Sequence, residues 1–172
     1  MSFLLKSSRF CVALWVAVAT LTALPALAAN FSITLQIAGL PGAYEGSYNA
    51  LAFAWGPEGA ETQHGVAPEL TVTIPDDASS VTLMQSANSR QTFATADLQA
   101  VTSGLAVVSI HMTNVRIQSV HVAANIAGLY TQPVQMVTLV FDSVEYTYQP
   151  VNVIGQKNGP PVTYSATFHR NR

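Results

Sequence analysis

The sequence predicts a mainly β domain, a small β-barrel or two-sheet sandwich with one short α-helix. Three observations carry that prediction. Apolar and polar residues alternate with period two along most of the chain, turn residues interrupt the alternation at short intervals, and only one stretch has helical spacing. No βαβ rhythm, heptad array or long Pro/Gly tract is present.

The first 28 residues stand apart from the domain. MSFLLKSSR carries Lys6 and Arg9, an uncharged run FCVALWVAVATLTALPALA follows, and Ala26-Leu27-Ala28 supplies small residues for a peptidase pocket. A charged start, an apolar middle and a small-residue end predict a secretory signal at 1–28, cleaved after Ala28 or Ala29. Pro25 interrupts the apolar run before the ~20 residues that span a bilayer, so no stable membrane anchor is expected after cleavage. The expected location is secreted or periplasmic, with a single domain over 29–172. The only cysteine, Cys11, leaves with the signal, which excludes disulfides, thiol chemistry and Cys-based zinc sites from the mature chain.

The elements follow in order. Phe31, Ile33, Leu35 and Ile37 alternate with Ser32, Thr34 and Gln36, a half-buried strand ended by Pro41-Gly42. Leu51, Phe53 and Trp55 then point one way, and Ala50, Ala52 and Ala54 the other. A face of three alanines suits close packing against a second sheet or a neighbouring subunit. Leu70, Val72 and Ile74 mark another strand. Asp76-Asp77-Ala78-Ser79-Ser80 offers N-cap candidates, and Val81, Met84 and Ala87 recur at helical spacing up to Asn88-Ser89. Leu105 to Val122 reads as one long strand region, with Ala106, Val108, Ile110 and Met112 on one face. Its phase shifts near Thr113-Asn114 and again near Ser119. Val134–Phe141 and Val144–Tyr148 are expected to close the domain as a hairpin around Asp142-Ser143.

Composition narrows function. The chain has 7 Lys plus Arg against 9 Asp plus Glu, a net charge of −2, 49% hydrophobic types and a mean hydropathy of +0.31. That balance excludes a disordered charged tail, and it excludes the dense basic surface with which nucleic-acid binders displace counterions. No Gly-x-Ser-x-Gly, His-Glu-x-x-His or P-loop pattern occurs. His111 and His121 are ten residues apart across a phase change and need a third ligand, such as His64 or Asp97, which nothing in the sequence brings near. Asp76-Asp77 reads as helix capping, Glu58 and Glu61 as solvated loop carboxylates, and Trp55, Tyr146 and Tyr148 as packing aromatics. No enzyme, cofactor or metal is expected.

The segment Leu35-Gln36-Ile37-Ala38-Gly39-Leu40-Pro41-Gly42, then Ala50-Leu51-Ala52-Phe53-Ala54-Trp55-Gly56, resembles the opening of the haemolysin-coregulated (Hcp) family of type VI secretion tube proteins. That family opens with an I-x-G-I-x-G strand end and a hydrophobic-x-S/A-F-x-W-G strand. The helix segment ending Asn88-Ser89-Arg90 is similarly placed, and Val144-Glu145-Tyr146-Thr147-Tyr148 resembles the family's closing I-x-W/Y-x-Y strand. The resemblance covers about residues 31–168 in order. It implies a non-enzymatic structural protein that forms rings of six, stacks them into a tube and carries effector proteins in the lumen. It further implies ring contacts at Ala50, Ala52 and Ala54, and at Glu58, Glu61 and His64 on the loop from Gly56 to Pro68.

Two features depart from the family. Its tube subunits carry no signal, whereas this chain begins with one, and the next methionine after Met1 is Met84, inside the domain. Its members are also more charged, which bears on stacking rather than on fold. The alternative is a monomeric secreted β-sandwich binding a glycan or surface partner through Tyr44, Tyr48 or Tyr130. A small hydrolase is a third reading, and it requires acid, base and nucleophile groups converging in one pocket.

Overall fold

The computed structural model describes residues 31–41, 46–55, 69–124 and 132–168. Within them the chain forms nine strands and one helix: β1 (Phe31–Ile37), β2 (Ser47–Ala50), β3 (Ala52–Trp55), β4 (Glu69–Pro75), α1 (Ser80–Ser89), β5 (Thr92–Thr102), β6 (Leu105–Ala123), β7 (Val134–Val140), β8 (Ser143–Tyr148) and β9 (Val162–Thr167). All strand pairs are antiparallel, and the main path runs β2-β1-β5-β6-β7-β4-β3, with β8 attached to β6 and β9 to β8.

The two ends of that path are consecutive in the chain. β2 pairs with β1 and β3 pairs with β4, so the sheet must curl until its ends meet, which makes a barrel-like wall. The stretch expected as one strand over residues 50–55 is therefore two, divided by a bend at Leu51 whose N–H donates to the Thr73 carbonyl at 2.8 Å. The bend turns Leu51 out to solvent, while Phe53 and Trp55 stay half-buried against the core. Small residues on either side, Ala50 and Ala52, let the backbone corner without a clash.

Inside lies one apolar cluster. Leu35, Ile37, Leu70, Val72, Ile74, Leu98, Ile110, Met112, Leu139 and Phe141 are fully buried, as the alternation in β1, β4 and β6 requires. Phe31, at the outer end of β1, is exposed despite being in phase with Ile33. β5 and β9 were not expected. Alanine at positions 94, 96 and 100 gives β5 too little hydrophobic contrast for its alternation to stand out, although Phe93, Ala96, Leu98 and Ala100 are all buried. β9 lies at an edge and is mostly exposed, so it carries no core signal.

The helix occupies the expected segment, but a different stripe faces inward. Ser80, Leu83 and Ser86 are buried, whereas Val81 and Met84 are exposed and only Ala87 of the expected set packs on the core. Small serines let the helix lie close to the wall with Leu83 as its single large anchor. Asp77 Oδ1 accepts from the Ser79 N–H and hydroxyl at 2.8 and 2.6 Å, and Asp76 Oδ1 accepts from the Ser80 hydroxyl, so the two carboxylates brace the turn before the helix rather than cap it: the N-cap is Ser79, whose side chain makes no cap hydrogen bond. Arg90 ends the helix at φ +54°, its N–H donating to Ala87 and that of Gln91 to Ser86.

The expected hairpin of β7 and β8 does not form. Both strands lie end to end along the same edge of β6, with Arg116 opposite Val140 and Thr113 opposite Ser143. The break at Phe141-Asp142 thus spans the same step as Asn114-Val115, where Asn114 takes φ +52° and the buried phase of β6 shifts from Met112 to Val115. Asp142 still donates its N–H to the Thr113 carbonyl at 3.0 Å. Asp-Ser lacks the glycine that tight two-residue turns favour, and β6 is long enough to pair with both strands in turn. The shift expected near Ser119 is present as a register change between Ile117 and Ser119. A genuine tight turn joins β5 to β6 at Ser103-Gly104, both at positive φ.

Candidate functional site

The ring-contact positions implied by the sequence fall in different places. Ala50 ends β2 and packs partly on the core; Ala52 is half-buried and Ala54 exposed on β3. The bend at Leu51 separates the first from the other two, so the three alanines do not share one strand face. Glu58, Glu61 and His64 lie outside the described residues, as do Tyr44 and Tyr130. Tyr48, the third tyrosine of the binding-module alternative, is buried rather than exposed, and burial followed by the nearby Asp77 charge pushes its phenol pKa up to about 12.

His111 has the neighbour that sequence spacing could not place. Asp97 sits directly opposite it on β5, with Oδ1 2.6 Å from His111 Nδ1, and Glu145 faces it from β8 on the other side. Both members of the pair are about half exposed, which limits such a contact to ~1 kcal/mol or less. His121 is beyond the kink, opposite Met136. Among the described residues no three His, Cys, Asp or Glu side chains gather as a metal site. A recess of about 150 Å³ opens beside Ser47, Tyr48, Ile74 and Asp77, well under the ~300 Å³ at which ligand pockets begin.

Trp55 and Tyr146 pack as expected and are joined by a tyrosine that was missed, whereas Tyr148 stays exposed. Trp55 stacks on Tyr146 with ring centres 5.4 Å apart and an interplanar angle of 25°, and Tyr164 of β9 leans on the same indole at 6.3 Å. Register puts Tyr148 opposite Val162 and Tyr146 opposite Tyr164, so one face of β8–β9 is continuously apolar. Trp55 covers only part of it. Tyr148, Val162 and Tyr164 remain substantially exposed, an uncharged surface on an edge sheet. The sequence signal for it was Val162 and Tyr164 alternating with Thr163 and Ser165, a pattern too short to stand out.

The exposed apolar groups of β8–β9, with few charges around them, suit protein contact. The family model described as "Type VI secretion system effector, Hcp" matches residues 44–148. Among solved structures, the chain is similar to Hcp1 from Salmonella typhimurium, with a TM-score of 0.63 and 20% identity over 80% of this chain and 95% of that one. It is also similar to a type VI secretion system effector from Yersinia pestis, with a TM-score of 0.61 and 18% identity over 78% and 98% of the two chains. Hcp2 from Salmonella typhimurium matches with a TM-score of 0.57 and 18% identity, over 82% and 98%. No curated protein matches the sequence significantly.

Proposed function

This chain belongs to the Hcp family of type VI secretion proteins, and on that premise we propose that it works as a structural subunit, six copies to a ring, with no catalytic step of its own. The observation that carries the reading is the family match across β2 to β8, the span in which the wall of the barrel is built. A ring contact is heterologous, one patch meeting a different one, and it needs a rigid wall with exposed contact groups rather than a pocket. The curled sheet and its uncharged β8–β9 face meet that requirement. Ala50, Ala52, Ala54, Glu58, Glu61 and His64 remain the proposed contact positions of the neighbouring stretch, and effector proteins the proposed cargo of the lumen.

Residues 1–28 are proposed as a cleaved export signal, which delivers the domain 29–172 outside the cytoplasm. Native mass by light scattering, with negative-stain images of the same fraction, tests the assembly. A mass of six subunits in annular particles is expected. A monomer at every concentration removes the ring function and leaves the fold.

A further inference from the structure

We propose that the loop joining β8 to β9, residues 149–161, is a preformed apolar plug that docks on a second copy of this chain. The proposal rests on the ring-forming reading above and names a surface through which copies meet. Val153 and Ile154 form the tip and are 103% and 67% exposed, more than any large apolar side chain of the described strands. Two adjacent aliphatic side chains held in water are unfavourable unless something covers them.

The tip is braced, not slack. Asn152 Oδ1 accepts from the N–H groups of Ile154 and Gln156 at 3.1 and 2.9 Å, and the Asn152 N–H donates to the Gln156 carbonyl at 2.8 Å. At the base, the buried Gln149 side chain donates to the carbonyls of Pro150 and Gly159, both at 3.0 Å. Gly155, at φ +79°, sits against Ser103 in the β5–β6 turn, where an added Cβ would lie 3.1 Å from Ser103 Oγ. The loop is thereby tied to the barrel wall. Docking it costs little ordering entropy, which is what a built contact element requires.

The surroundings specify the occupant. Tyr148 and Val162 face each other across the base of the loop and extend the apolar surface towards Tyr164. Among the described residues β9 pairs only with β8, and it contains no Lys, Pro or bulge, the devices that usually protect a free edge. Lys157 is the one charged residue between Gln149 and Phe168. A nucleic acid or a strongly charged protein finds little to pair with there, whereas a second copy offers uncharged apolar groups on its own described surface, Phe31, Leu51 and Val122 among them. Ring closure or stacking sets this patch against a different surface of the next copy.

The test is Val153→Asp/Ile154→Asp in the full chain, compared with wild type and with Val153→Leu/Ile154→Leu by sedimentation velocity over a wide concentration range. The aspartate pair is expected to raise the assembly midpoint at least about tenfold, since each carboxylate would be desolvated without a partner. The leucine pair is expected to restore it, and all three proteins should melt alike because the tip lies outside the core. A thiol-reactive, environment-sensitive dye on Ile154→Cys, in a Cys11→Ser background, should shift to the blue as copies assemble. Unchanged assembly of the aspartate variant, with a dye that stays in water, overturns the plug while leaving the ring reading intact. A wild type that never assembles overturns both.

Discussion

Phe141→Ala probes the junction on which the fold turns. Among the described residues Phe141 is the largest fully buried side chain; it sits at the break between β7 and β8 and meets Phe168 edge-on with ring centres 6.2 Å apart. Truncating a buried Phe to Ala costs about 3–5 kcal/mol, through lost transfer energy and the cavity left behind. The edge-on ring pair, itself worth about 0.5–1.5 kcal/mol, is lost as part of that cost. Against a typical domain stability of about 5–15 kcal/mol, the variant should fold but melt roughly 6–20 °C lower. Denaturant titration under conditions where assembly is constant checks this, with the midpoint falling and the slope unchanged. Phe31→Ala, at a side chain 59% exposed, is the control and should shift stability by less than about 0.5 kcal/mol. A loss below about 1 kcal/mol at Phe141 would mean that the core does not converge on this junction, and the account of β7 and β8 as tandem strands would fall with it.

Two further predictions concern β1 and β2. Gly46→Ala places a Cβ 2.1 Å from the Ile37 carbonyl oxygen at a φ of +80°, and should cost more than about 2 kcal/mol; a melting temperature within about 2 °C of wild type contradicts that geometry. Tyr48 has a phenol pKa raised from 10.0 to about 12 in the folded state, so its contribution to stability is complete below pH 10 and is lost as pH rises through 12. Tyr48→Phe should therefore flatten the alkaline fall of the denaturant midpoint between those pH values, and an unchanged slope would place the phenol in water.

Local pattern proved most reliable where a strand buries one face. β1 and β4 were legible because Ile33, Leu35, Leu70 and Val72 alternate with hydroxyl and amide side chains, and the kink at Asn114 was legible as a change of phase within β6. The helix was legible in place but not in orientation, since Val81, Leu83 and Met84 offer competing stripes and only contact with the wall selects Leu83. The candidate site was less legible. Asp97 meets His111 through pairing between two strands, and the face of β8–β9 is exposed because none of the other described strands lies across it.

The sequence by itself determined the mainly β character, the helix segment, the apolar start of the chain and the core faces of β1 and β4 from Ile33 and Leu70 on, because each depends on neighbours within a few positions. Only the tertiary structure decided that Leu51 turns a corner, that β7 and β8 share one edge of β6, and that Val153 and Ile154 stand in solvent on a braced loop. These follow from which distant strands pair and which do not. Period-two alternation says which way a side chain points, but not what, if anything, lies opposite it.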